Sequence, residues 1–396
     1  MKDRGSAEHN GGKPRVAQLV DCFLALSEVF IYELIRNLGS VDSYVITREL
    51  RNTEHFPFDR LFVMNGNGRN WKQRIRERLT NQSPHCMLSC MPIVREEGAD
   101  LLHAHFGLLG ARSLELADKL GIPLVTSFYG VDASKQATDP ENLELFRDLF
   151  EGGDLFLAEG SAMKSRLIGL GVPHSKIRIQ HLGVDVDQLQ YIERSLPQKD
   201  VPARVLFCGR FVEKKGLIDA LRAVKIALGK GLRFEFRIIG DGPLKDEVGQ
   251  FIDENFLSPY VTLLGMLDHV SYRHELESAH LLLQPSKTAS DGDTEGGAPI
   301  VLLEAQATGL PVIATTHADI PEYVKNSEGG ILLDEGDFEG LSVALESLIK
   351  KPEQMKRMGR LGRLHVIENY NICEETEKLA DIYKEIYIGC KEGGRD

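Results

Sequence analysis

Short apolar runs rich in branched residues recur along the whole chain, separated by stretches whose apolar positions fall three and four apart. Residues 16–20, 44–46, 101–104 and 124–126 form such runs in the first half, and 205–208, 234–239, 261–264, 281–284 and 312–314 in the second. Apolar on consecutive positions and too short for helices, they predict strands buried on both faces. Between them, 30–38, 111–120 and 217–228 carry the spacing of amphipathic helices. Strands alternating with helices predict an α/β fold of parallel sheets wrapped on both sides.

The chain of 396 residues exceeds one ordinary core, so two domains are expected. Pro197 and Pro202 bracket a polar stretch, and Val205 opens a fresh strand–loop–helix series. We therefore expect two doubly wound domains, 15–195 and 203–370. Residues 1–14 are polar, lack the apolar centre of a signal peptide and read as a disordered leader. Leu379, Ile382, Tyr383 and Ile386 share a helical face, predicting a C-terminal helix over about 373–390.

Composition narrows the functional classes. Apolar content of 42% beside 27% charged residues is that of a soluble globular protein, and no apolar run reaches the roughly 18 residues of a membrane span. A net charge of −12 argues against nucleic acid as partner. Cys22, Cys86, Cys90, Cys208, Cys373 and Cys390 follow no disulfide or zinc spacing, and reduced thiols in a cytoplasmic protein are expected. One local exception is basic: RNWKQRIRER, residues 69–78, puts Trp71, Ile75 and Leu79 on one stripe among cations. Such a helix either lies on an anionic membrane surface or packs its stripe on its own domain.

In open parallel sheets ligands bind beyond the carboxyl ends of strands, so the loops after strands are where chemistry is sought. After 205–208 comes GRFVEKKG, residues 209–216. Gly209 permits a tight turn, while Arg210 and Lys215 supply two cations, either for a diphosphate or as a plain basic surface loop. After 234–239 comes Gly240-Asp241-Gly242, but Lys245 stands where a dinucleotide fingerprint needs its third glycine. After 281–284 comes Pro285-Ser286 and then DGDTEGGAPIVLLEA, residues 291–305. Its opening imitates a calcium loop, yet Leu302 occupies the twelfth position, where the bidentate glutamate belongs. Pro299 and Gly309 bracket a short helix over 299–308, with Gly296 and Gly297 at its mouth offering N–H groups to an anion. Glu304 then sits inside an otherwise apolar helix and needs donors: an arginine or backbone partner, or the vicinal hydroxyls of a ribose.

Taken in order, VLFCGRFVEKKG, RIIGDGPLKDEV, VTLLG, LLLQPS, the Glu295-to-Glu304 segment, ATGLPVIAT and IPEYV resemble the C-terminal half of family-four retaining glycosyltransferases of the GT-B fold. HAHFG (103–107), VTSFYGVD (125–132) and IRIQHLGVD (177–185) fit the first half, and the pattern is similar to bacterial exopolysaccharide enzymes of the colanic acid and amylovoran type. The resemblance implies two Rossmann-like domains facing a central cleft, with the C-terminal helix returning to the first. It implies transfer of a hexose with retention from a nucleotide-sugar, UDP-linked rather than GDP-linked, onto a lipid-linked glycan, without metal or cofactor, on the inner face of the plasma membrane. By position, Arg210 and Lys215 would hold the diphosphate, Glu295 the donor sugar and Glu304 the ribose. Gly209, Gly240, Gly296 and Gly297 would line the donor, with Gly265 and Met266 toward the base. Gly130, Asp132 and Ser27-Glu28 would lie on the acceptor side.

Two departures stand out. Eight residues separate the glutamates, where the family has seven, and Tyr129 takes the place of a histidine before Gly130. Tyrosine donates a hydrogen bond there but carries no positive charge near neutral pH. Two other readings on this fold are a nucleotide-sugar epimerase and a sugar-nucleotide-binding scaffold subunit without catalysis.

Overall fold

A computed structural model describes residues 13–25, 28–54, 56–64, 87–195 and 201–393. The basic segment 69–79, residues 1–12 and Ser27 lie outside them.

The described strands form two sheets. The first has the order β3-β2-β1-β4-β5-β6-β7, from β1 (Arg15–Phe23), β2 (Asp42–Leu50), β3 (Leu61–Val63), β4 (Leu101–His105), β5 (Leu124–Phe128), β6 (Leu155–Ala158) and β7 (Ile177–Ile179). The second has the order β10-β9-β8-β11-β12-β13, from β8 (Ala203–Cys208), β9 (Phe234–Ile239), β10 (Val261–Gly265), β11 (Leu281–Gln284), β12 (Val312–Thr315) and β13 (Gly330–Leu333). Every adjacent pair of the second sheet is parallel. Both orders reverse direction beside the first strand of the series, which is doubly wound Rossmann topology. Central strands β4, β5, β11 and β12 are buried at every position, so helices cover both faces, and the polar residues these strands carry are buried with the apolar ones.

The chain divides into two compact units, one of 1–127, 144–157 and 376–396, the other of 128–143 and 158–375. In the first, the helix Ile372–Gly393 buries Leu379, Ala380 and Tyr383 with Val16, Leu101 and Val125. The C-terminal segment therefore does return to the first unit. Its Tyr383 phenol also enters a buried polar set. His103 contacts Tyr383 Oη through Nδ1 (2.6 Å) and Ser127 Oγ through Nε2 (2.8 Å), and His105 Nε2 meets Gln18 Oε1 at 3.0 Å. Gln18 Nε2 donates back to Tyr383 Oη at 3.3 Å. Burial holds the His103 imidazole down at about 3 and lowers His105 as well.

In the second unit, alternation along β8 sends Val205 and Phe207 into one core layer and Leu206 into the other. The helices Leu217–Gly229 and Phe338–Lys350 cover the first layer, and Val301–Ala307 lies in the second. The strand ends on the carboxyl side thus converge on the loops that carry the charged residues.

Candidate functional site

Lysines and acids interlock in the loops after β8 and β11. Gly209 N–H donates to Ile239 O (3.0 Å), turning the chain out of β8 into a single 3₁₀ turn, Glu213–Lys215. Gly216 ends that turn at φ +68°, and a Cβ there would lie 1.8 Å from Pro285 O. Only glycine lets this loop sit directly on the start of the next. Lys215 Nζ then reaches Glu295 Oε2 at 2.8 Å, while Ser286 Oγ donates to Oε1 at 2.7 Å. Lys214 points elsewhere, to Asp293 Oδ1 (3.0 Å) and Thr294 O (2.8 Å). Lys135 binds Asp291 at 2.7 Å. Alternate acids of DGDTE, which looked like an imitation calcium loop, are therefore each matched by a lysine.

Backbone contacts fix Glu295 from the other side. Gly130 (φ +127°) and Gly296 (φ +78°) press together, and a Cβ on Gly130 would lie 2.1 Å from Glu295 O. Glu295 N–H donates to His317 Nε2 (3.1 Å), whose Nδ1 faces Glu335 Oε1 at 2.6 Å, so the proton sits on Nδ1. Burial raises the Glu295 carboxyl, but Lys215 and Lys214 outweigh it and hold the group below its ordinary range, ionised at neutral pH. Glu159 behaves oppositely. Buried against Gly297, it is pushed well above the usual range by burial and then by the charges of Asp319, Asp132 and Glu295. Asp319 is raised to about 6 by burial, although the N–H groups of Ala162 and Met163 oppose the shift.

Glu304 occupies the half-buried face of Val301–Ala307 and accepts from the Tyr272 phenol. A phenol, a donor the sequence did not suggest, is thus among its partners. Cys208, at the end of β8, is pushed up to about 12 by burial and then by Glu304, with Lys215 opposing, which puts Glu304 and Lys215 within electrostatic reach of one strand end. Gln284 closes β11 with its amide buried, and neither Nε2 nor Oε1 has a partner among the described residues.

The remaining sequence candidates divide. Arg210 is exposed, with no side-chain partner among the described residues, and Lys215 alone of the two loop cations meets Glu295. Gly240 N–H donates to Gly265 O (2.9 Å) at the ends of β9 and β10, where Met266 stands 57% exposed. Tyr129 is half-buried. Asp132 is fully buried, and its carboxylate accepts N–H groups of Tyr129, Gly130 and Ala133, so it shapes that loop rather than facing outward. Glu28 precedes the helix Val29–Arg36 in the first unit, and Ser27 lies outside the described residues.

The anion mouth expected at Gly296-Gly297 needs correction. The helix begins at Val301 rather than at residue 299, because Leu302 and Leu303 N–H groups close three-residue turns onto Pro299 and Ile300. Gly296 N–H is taken by Thr294 Oγ1 (3.1 Å), whereas Gly297 N–H has no partner among the described residues. At the other end Gly309 follows the helix at φ +78°, as expected. Lys214, Ser286, His317, Tyr272 and Glu159 were not read as site residues. The KKG doublet and the Ser of LLLQPS were signals for two of them; nothing local marks the others.

Among the described residues no three His, Cys, Asp or Glu side chains gather to hold a metal ion, and no helix is long and apolar enough to cross a membrane.

Known proteins carry the same arrangement of chain. Residues 190–365 match the family model "Glycosyl transferases group 1", and residues 20–188 match "Glycosyltransferase Family 4". A putative colanic acid biosynthesis glycosyltransferase of Salmonella typhimurium is 30% identical over 322 residues, 80% of this chain and 78% of that one. An amylovoran biosynthesis glycosyltransferase of Erwinia amylovora is 32% identical over 290 residues, 73% and 70% of the two chains. In fold, the Anabaena protein HepE, solved in complex with UDP-glucose, superposes with a TM-score of 0.77 at 15% identity, covering 94% of this chain and 100% of its own. With both halves matched in order and two parallel Rossmann-like sheets in place, the chain belongs to the family-four glycosyltransferases of the GT-B fold.

Proposed function

We propose that the protein transfers a hexose from a UDP-sugar, with retention and without metal, onto a lipid-linked glycan in bacterial exopolysaccharide synthesis. The observation that carries this reading is the pairing of Lys215 with an ionised, buried Glu295, in a loop that also carries the exposed Arg210, whose side chain has no partner among the described residues. One cation free and one held on a carboxylate form a site that exchanges partners when a diphosphate and a sugar arrive together. The curated relatives named for colanic acid and amylovoran biosynthesis support the pathway class, and the neighbour bound to UDP-glucose supports the donor base.

In this mechanism the acceptor hydroxyl oxygen forms a bond to the anomeric carbon on the face that the phosphate leaves. The bond from that carbon to the β-phosphate oxygen breaks, its electron pair stays on the phosphate, and that oxygen takes the acceptor proton. Arg210 and Lys215 stabilise the growing negative charge, a role in which one preorganised donor is worth about 10²–10³ in rate. Glu295, fixed by Ser286 and by its own N–H on His317, positions the sugar hydroxyls. The phenol of Tyr129 donates a hydrogen bond near the attacking group.

Arg210→Ala and Lys215→Ala should each lower kcat by roughly 10²–10³ with the fold intact, measured as sugar release from UDP-hexoses and as product on a polyprenyl-linked acceptor. Wild-type turnover in either variant would overturn the assignment.

A further inference from the structure

We propose that Tyr272 is a positioning residue of the nucleotide site, its phenol fixing one oxygen of Glu304 so that the carboxylate is aimed at the ribose. The inference rests on the assignment of Glu304 to the ribose.

Both partners are held by well-anchored elements. Tyr272 projects from the helix His269–Ser278, begun by Asp268, which accepts the N–H (2.9 Å) and hydroxyl (3.1 Å) of Ser271. Its ring packs in the core layer that also takes Cys208, Leu264, Leu267 and Ile300. The short helix of Glu304 is fastened at its far end. Arg363 donates to Ala307 O (2.5 Å), Arg194 to Thr308 O (3.2 Å), and Gln306 Nε2 to Tyr323 O (2.8 Å).

The contact joining them is the Tyr272 hydroxyl on Glu304 Oε2. A glutamate has three torsions, and an unheld one must be ordered when ligand arrives. Pinning Oε2 restricts the side-chain torsions and hence the directions open to the second oxygen. The donor also keeps its proton at any physiological pH, because burial and then Glu304 hold the phenol well above its ordinary value. A carboxylate aimed in this way distinguishes a ribose from a sugar lacking the hydroxyl it accepts from, since the unmatched site is left with an unsatisfied charge.

Calorimetric affinities of the full chain for UDP and 2′-deoxy-UDP, with GDP and 2′-deoxy-GDP as the second pair, test this. The expected result is a wild-type preference for ribose of about tenfold or more, and its loss in Glu304→Gln. Tyr272→Phe should reduce the preference to within about threefold, leaving deoxynucleotide affinity and melting temperature unchanged. Tyr272→Gln, which restores a donor without the ring, should recover part of the preference and serves if the Phe variant melts early. Equal loss of ribo and deoxy affinity in Tyr272→Phe, or a preference untouched by it while Glu304→Gln abolishes it, would overturn the proposal. No ribose preference in the wild type, or a preference surviving Glu304→Gln, would instead remove the ribose assignment beneath it, and the proposal with it.

Discussion

The two units bury polar side chains in different ways. In the first, hydrogen bonds link Ser127, His103, Tyr383, Gln18 and His105 inside the core, and the contact of the two imidazoles, centroids 4.3 Å apart, closes a ring that includes Tyr383 of the C-terminal helix. In the second, the strand ends are asymmetric: among the described residues the buried Gln284 amide and the exposed Arg210 side chain have no partner, while Lys215 and Glu295 hold each other. Buried hydrogen-bonding groups that are complete stabilise and specify a fold, whereas incomplete ones cost stability and persist where a ligand is served. Unpartnered buried atoms occur in the first unit too, at Ser43, Tyr44 and Thr126, so what sets the second apart is that its unpartnered Gln284 amide closes a strand of the sheet whose loops carry Arg210 and Lys215.

This contrast breaks or sharpens at particular residues. After the losses expected at Arg210 and Lys215, the next largest effect is expected from Gly130→Ala, whose new methyl would meet Glu295 O and force the loop carrying that carboxylate aside. Turnover should fall by about 10²-fold, as displacements of about an ångström do, with the first unit unaffected; retained activity would show that the two loops do not depend on each other. Next is His103→Ala, which strips a partner from both Tyr383 and Ser127. Chemical denaturation should show a loss of about 2–4 kcal/mol, with unchanged affinity for UDP. A drop in affinity at full stability would mean that the ring is not self-contained.

His103 also gives the contrast a pH signature. Its folded value of about 3 lies below the unfolded value near 6.5. Below about 6.5 the unfolded imidazole takes a proton that the buried ring refuses, so stability is full above that pH and declines as pH falls toward 3. The slope approaches about 1.4 kcal/mol per pH unit per buried imidazole, and His103→Ala should shallow the fall between pH 6.5 and 5. The smallest effect is expected from Gln284→Leu. Removing two unpartnered buried atoms should raise stability by up to about 1 kcal/mol and weaken UDP binding. Unchanged UDP affinity would remove Gln284 from the groups that serve the ligand.

Much of the architecture was legible because parallel strands buried on both faces leave short, mostly apolar runs. Residues 101–104, 205–208 and 281–284 all fall on observed strands. Strands β3, β7 and β13 span three or four residues at sheet edges, too few to display any period. Strand β6 (LFLA) is equally short, and four apolar residues do not distinguish a strand from a helix. In the site, Lys215 and Glu295 could be marked by residue type and loop position, but not that they hold each other from 80 residues apart. Tyr272 and Glu304 are 32 residues apart on separate helices, and only folding reveals the contact. Gly296 misled for a local reason: Thr294, two residues before it, takes the N–H that an anion was expected to use.

The Lys215–Glu295 contact also bears on what leaves the site. On the proposed roles, an intact donor replaces both halves of the pair, giving phosphate oxygens to the lysine and hydroxyls to the glutamate. The spent nucleotide replaces only one. It must hold Lys215 against a carboxylate that has lost its sugar and lies 2.8 Å away in the resting arrangement. Glu295 is then an internal competitor of the product but not of the substrate, and each turnover ends with the protein's own side chain helping to displace the nucleotide.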